Sequence, residues 1–187
     1  GEFEISPLAN PFMPYDMNKI FKINGGWGWR GERTIARWYT MYATIIQSRD
    51  WLPDEIGGLV WMALDNVASS IYIPIYCQNR SLPVYYTTPG RVKGYNRNSG
   101  WWAFNRLGTL AAQRWGDMRK DVDHIFVPMQ KQIIDQQKEI ETRLVKIKNK
   151  SNRIRKLTDF TNKWGNKVVE AAWDLGDFLW TKYDEKF

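Results

Sequence analysis

The sequence predicts an α+β chain, with a few strands near its middle and a mainly helical C-terminal half. Two patterns lead there. Two short apolar runs, over 58–64 and 70–76, flank the polar turn Asp65-Asn66-Val67-Ala68-Ser69, as in a β-hairpin with a long loop. From Trp101 onward, apolar residues recur every three or four positions, the period of a buried helix face. With 43% hydrophobic and 25% charged residues, a chain of 187 residues is globular in composition and long enough to bury a core.

Residues 1–30 read as an irregular N-terminal segment, punctuated by Pro7, Pro11, Pro14, Gly25, Gly26 and Gly28. Residues 31–100 read as a helix followed by the hairpin. From Thr34 to Ser48, Ile35, Trp38, Tyr39, Tyr42, Ile45 and Ile46 fall at three- and four-residue steps. That spacing predicts an amphipathic helix ending before Pro53. In the second hairpin strand Ile71, Ile73 and Ile75 point one way, and Tyr72, Pro74 and Tyr76 the other. Pro74 cannot donate to a ladder, so this strand is an edge or carries a bulge. A third extended piece is predicted at 84–86, then loop over 87–100. Residues 101–187 form the helical region, with helices over 101–119, 121–150 and 157–182. Pro128 should start or kink a turn. Two or three short strands are marginal alone and normally join a larger sheet or are covered by helices.

The charge is uneven. The chain carries 27 basic and 20 acidic residues, a net +7. From Lys138 to Leu157 eight basic residues stand against Glu139 and Glu141, which leaves the remainder almost neutral. This stretch reads as a solvated turn between two helices. The alternative function it offers is a non-enzymatic helical module that binds a protein or acidic partner through residues 138–157. No aromatic residue interrupts it, so the stacking platform of a single-strand nucleic-acid binder is missing, and no nucleic-acid partner is expected. No apolar run approaches the roughly 20 residues of a membrane-spanning helix, and no membrane partner is expected.

Cys77 is the single cysteine and His124 the single histidine. This excludes a disulfide framework, a cysteine-rich zinc site and a His-His metal motif, so no metal or cofactor is expected. Cys77 follows an apolar run and reads as a small buried hydrophobe. His124, near a predicted helix start, reads as a surface or cap residue. Asp121 and Asp123 suit a helix N-terminus better than paired acid–base work. Gly25-Gly26-Trp27-Gly28-Trp29-Arg30-Gly31 lacks the Lys-Ser/Thr ending of a phosphate loop. It reads as packing, or as an aromatic wall. Arg30, Arg33 and Arg37 cluster where the helix dipole disfavours cations. They imply either a partner anion or simple solvation.

Several motifs stand in one order: Arg33-Thr34-Ile35, Gln47-Ser48-Arg49-Asp50-Trp51-Leu52-Pro53-Asp54-Glu55-Ile56-Gly57-Gly58, then Trp61, Ala63 and Asp65, Ser70-Ile71-Tyr72-Ile73-Pro74-Ile75-Tyr76, and Asn98-Ser99-Gly100-Trp101-Trp102-Ala103-Phe104. Together they resemble the C-terminal part of cysteine dipeptidases of the N-terminal-nucleophile superfamily (family sixty-nine of the cysteine peptidases, cousins of the secernins and choloylglycine hydrolases). The resemblance covers most of residues 5–183. It implies a four-layer αββα hydrolase in which an N-terminal cysteine attacks a peptide amide and its own α-amino group serves as base, chemistry that needs no histidine. The chain begins with Gly1 and lacks that cysteine, and Cys77 does not match its position. The resemblance therefore implies a C-terminal portion, inactive by itself, that works with the N-terminal remainder of the same protein on a small peptide substrate. Homo-oligomerisation is left open. No catalytic residue is assigned within the chain. Arg33, followed by Arg37, best matches an arginine near the nucleophile in related hydrolases, where it would favour a thiolate or bind a substrate carboxylate. Gln47, Arg49 and the aromatic residues of 98–104 read as structural.

Overall fold

The computed structural model describes residues 36, 37 and 39–185. The irregular segment 1–30, the Gly25–Gly31 run and Arg33 lie outside the described residues. The elements run β1 (Tyr42–Ser48), α1 (Asp54–Gly57), β2 (Gly58–Leu64), a 3-10 turn at Val67–Ser69, β3 (Ile73–Tyr76), α2 (Val84–Thr87), a second 3-10 turn at Arg91–Lys93, α3 (Gly100–Gln113), α4 (Trp115–Val145) and α5 (Lys150–Tyr183). Over the described residues the fold is α+β and mostly helical, with one small antiparallel sheet in the order β1-β2-β3.

The hairpin forms where the apolar runs predict it, with its second strand shortened from 70–76 to Ile73–Tyr76. β2 pairs antiparallel with β3 from Leu59↔Tyr76 to Met62↔Ile73. β3 is an edge strand, as Pro74 requires. Helices cover that edge. Thr161 of α5 donates from its hydroxyl to the Pro74 carbonyl at 2.8 Å. The Gln130 side chain of α4 accepts from the Tyr72 amide at 2.8 Å and donates to its carbonyl at 3.1 Å.

Two predicted elements are corrected. The helix expected over 34–48 is instead, in its second half, the strand β1. It pairs with β2 along its whole length, from Tyr42↔Leu64 to Ser48↔Gly58. Thr44, Ile45 and Ile46 are β-branched and fit a pleated strand, and the ladder to β2 outweighs the accidental helical spacing. The extended piece expected at 84–86 is the helical turn α2. Its Tyr86 amide bonds to the Pro83 carbonyl and its Thr88 amide to the Val84 carbonyl, both at 2.9 Å. Pro83 anchors the turn against α5. A Cβ placed on Gly165 would lie 2.3 Å from the Pro83 ring, so only glycine lets the two meet.

β1 differs from its neighbours in one respect. Leu59, Trp61 and Ala63 of β2 are buried, whereas on β1 Tyr42 is 61%, Ile45 52% and Ile46 76% exposed. Among the described residues its outer edge has no strand neighbour.

The helices close the core. Phe104, Leu107 and Ala111 of α3, Met118, Val122 and Phe126 of α4, and Trp164, Val168 and Ala172 of α5 form one cluster with Leu59, Ile73 and Tyr76. The break between α3 and α4 falls at Arg114 (φ −138°, ψ 60°), earlier than the pattern predicts. Pro128 sits inside α4. It and His124, whose carbonyl its missing N–H would have bonded, are both exposed to water.

The basic stretch 138–157, expected to be a turn, is mostly helical: it spans the end of α4, a short turn over 146–149 and the first turns of α5. Asn149 caps α5 by accepting from the Asn152 amide at 2.9 Å. Arg153 reaches the buried Glu55 carboxylate at 2.7 Å and Lys150 reaches it at 3.1 Å. Burial alone would push the Glu55 carboxyl up; its bonds to these two cations outweigh that and hold it below the usual range. Among the described residues no helix is long and apolar enough to cross a membrane.

Candidate active site

At the end of β2 the chain turns sharply. Asp65 has φ +60°, a left-handed conformation that Asp and Asn tolerate better than other side-chain-bearing residues. Its amide donates to the Met41 carbonyl at 2.9 Å, which fixes the turn to the start of β1. Asn66 then caps the 3-10 turn by accepting from the Ala68 amide at 2.9 Å. This geometry directs the Asp65 carboxylate toward α3, where Asn105 donates to its Oδ1 at 3.0 Å. Gly108 keeps α3 close, because a Cβ there would stand 2.8 Å from the Ser69 hydroxyl and 3.5 Å from Asp65 Oδ2.

Asp65 is one wall of a cavity of about 210 Å³. Tyr39, Thr40 and Met41 line one side; Trp101, Trp102, Asn105 and Thr109 of α3 line another; Trp115 and Arg91 complete it. Trp101 and Trp102 meet edge to face, 4.9 Å between centroids. Trp102 is held by its indole N–H on the Gly94 carbonyl at 2.7 Å. Burial pushes the Asp65 carboxyl up from its ordinary value to about 6, against the smaller opposing influence of the Asn66 amide, Asn105 and the Arg91 cation. Desolvation that strong, inside a cavity with converging polar groups, marks a candidate site.

The structure distributes the sequence-predicted site residues unevenly. Arg37 donates to the hydroxyl of Tyr39 and lies 5.5 Å from the centre of its ring, which puts it beside the cavity rim. Arg33 is outside the described residues. Cys77 is exposed, which corrects the expectation of a buried hydrophobe. Its sulfur lies beside Gly58, where an added Cβ would be 2.9 Å away, at the far end of β2 from Asp65. A strand of that length separates the two by about 20 Å. His124 is exposed within α4 and not near its start. Asp121 accepts from Lys182 and Tyr183, and Asp123 pairs with Arg119, so these carboxylates do separate structural work well inside the helix.

Gln47 accepts from the Trp61 indole at 3.1 Å and Arg49 is locked in a buried network, in keeping with a structural reading. Trp101 and Trp102, also read as structural, line the cavity. Sequence reasoning had Asp65 only as part of the family motif, with no site role, and missed Asn105 and Arg91. The one local signal was an Asp-Asn pair directly after an apolar strand, a pair suited to left-handed backbone.

A search of curated proteins finds no match. The family model described as Peptidase family C69 matches residues 12–128, which takes in β1, the hairpin, α3 and every residue lining the Asp65 cavity. On that match, which spans well over half of its length, the chain belongs to peptidase family C69.

Proposed function

We propose that the chain is the C-terminal portion of a dipeptidase of the N-terminal-nucleophile type, whose nucleophilic cysteine lies on a preceding stretch of polypeptide. Such an enzyme hydrolyses small peptide amides, with the α-amino group of its leading cysteine as base. The observation that carries the reading is the separation of sulfur and cavity. A cysteine peptidase needs its thiolate in contact with the scissile carbonyl, and the chain's one cysteine sits at the far end of β2 from the Asp65 cavity. The edge of β1, unpaired among the described residues, and its exposed apolar side chains offer a place for further strands to join. In this reading Arg33 supports the thiolate and Arg37, beside the cavity rim, contributes to substrate binding.

The purified chain alone is expected to show no dipeptide turnover, and the protein extended by a cysteine-led segment to hydrolyse dipeptides. Turnover by the chain alone would overturn the reading. If Cys77→Ser abolished that turnover, the nucleophile would be Cys77. In the extended protein, Arg33→Ala is expected to lower turnover at least tenfold with the fold intact; an unchanged rate removes Arg33 from the site.

A further inference from the structure

We infer that the Asp65 cavity binds the terminal ammonium of an unblocked small peptide, with Asp65 as counter-ion and Arg91 at the mouth receiving the peptide's carboxylate; the choice of ligand rests on the dipeptidase reading. The cavity presents an anion and a cation within one aromatic lining. Asp65 is buried, and its Oδ1 accepts from Asn105, which aims the carboxylate without neutralising it. Trp101, Trp102 and Trp115 make much of the lining aromatic, a setting that favours a cation over a neutral amide. Arg91 is exposed and carries a planar fork matched to a carboxylate. A zwitterion meets both charges and leaves neither unpaired. A peptide acylated at its amino end would bring a second carboxylate with no ammonium, leaving two anions to share the Arg91 cation in a desolvated site, a costly arrangement. Selection for a free amino terminus therefore follows from the cavity itself.

The test uses tryptophan fluorescence of the full chain, since three indoles line the cavity, with alanyl-alanine as probe. Saturable binding of alanyl-alanine is expected, with N-acetyl-alanyl-alanine at least tenfold weaker. Asp65→Asn keeps a residue that tolerates the left-handed turn. It is expected to weaken alanyl-alanine at least tenfold and to leave the acetylated peptide unchanged. Arg91→Gln should weaken alanyl-alanine but not alanyl-alanine amide. Equal affinity of the parent for the free and acetylated peptides overturns the inference without any variant, as does the absence of alanyl-alanine binding. So does unchanged affinity in a folded Asp65→Asn protein. Binding is read without turnover, so these failures leave the dipeptidase reading standing. An extended protein that binds alanyl-alanine but never cleaves it sinks that reading and leaves the cavity's preference intact.

Discussion

Arg49→Ala is expected to destabilise the protein by about 3–5 kcal/mol, the cost of leaving a buried charge unpaired. The Arg49 guanidinium bonds to both oxygens of Glu141, at 2.8 and 2.9 Å, and to the Ile56 carbonyl at 2.6 Å. Tyr76, buried on β3, donates its hydroxyl to Glu141 Oε1 at 2.8 Å. Burial, together with the neighbouring Glu141 carboxylate, pushes the Tyr76 hydroxyl well above its ordinary range, so it remains a donor. One arginine thus ties the segment after β1 to α4, while Tyr76 ties the same carboxylate to the sheet. Truncating Arg49 strands the Glu141 charge and the Ile56 carbonyl together. The melting temperature should fall by on the order of 10 °C for a chain of this size. Glu141→Gln should cost less, because the amide oxygen still accepts from Tyr76. Replacing both partners with apolar residues of similar volume should recover much of the loss. Urea unfolding measures each variant, and a loss under about 1 kcal/mol for Arg49→Ala would show that the network carries little of the fold.

Asp65→Asn is expected to act in the opposite direction at neutral pH. The carboxyl titrates at about 6 in the folded chain against 3.8 ordinarily. The folded state therefore holds the proton more tightly than the unfolded state. The neutral carboxyl contributes stability that is complete below about pH 4 and is lost as pH rises through about 6. A rise of that size corresponds to about 3 kcal/mol. Asn is neutral throughout, so the variant should gain up to about 3 kcal/mol over the parent at pH 7.5, and the gain should shrink toward zero at pH 4. Parallel urea titrations at the two pH values measure this, since other groups titrate alike in both proteins. A difference independent of pH would rule out the buried, upshifted carboxyl. A carboxylate that costs the fold stability at neutral pH is expected where the charge itself has a use.

The amino-acid sequence by itself determined what local pattern can specify. The alternating runs around Asp65–Ser69 specified the hairpin, Pro74 put β3 at an edge, and the 3.6-residue period past Trp101 specified three long helices. The motifs from Gln47 to Phe104 pointed to the peptidase family. Tertiary structure decided the rest, because those choices depend on partners far away in the chain. Residues 42–48 carry apolar spacing compatible with a helix, and only the ladder to β2 makes them a strand. Val84 to Tyr86 read as extended until Pro83 docks on Gly165, some eighty residues away. Arg49 meets Glu141 across 92 positions, and Asp65 meets Asn105 across 40. Asp65, Trp101 and Trp102 stand in the family motifs, but nothing local says that they share a cavity: its walls come from the segment just before β1, the turn after β2 and three later segments, which become neighbours only when the helices close over the sheet.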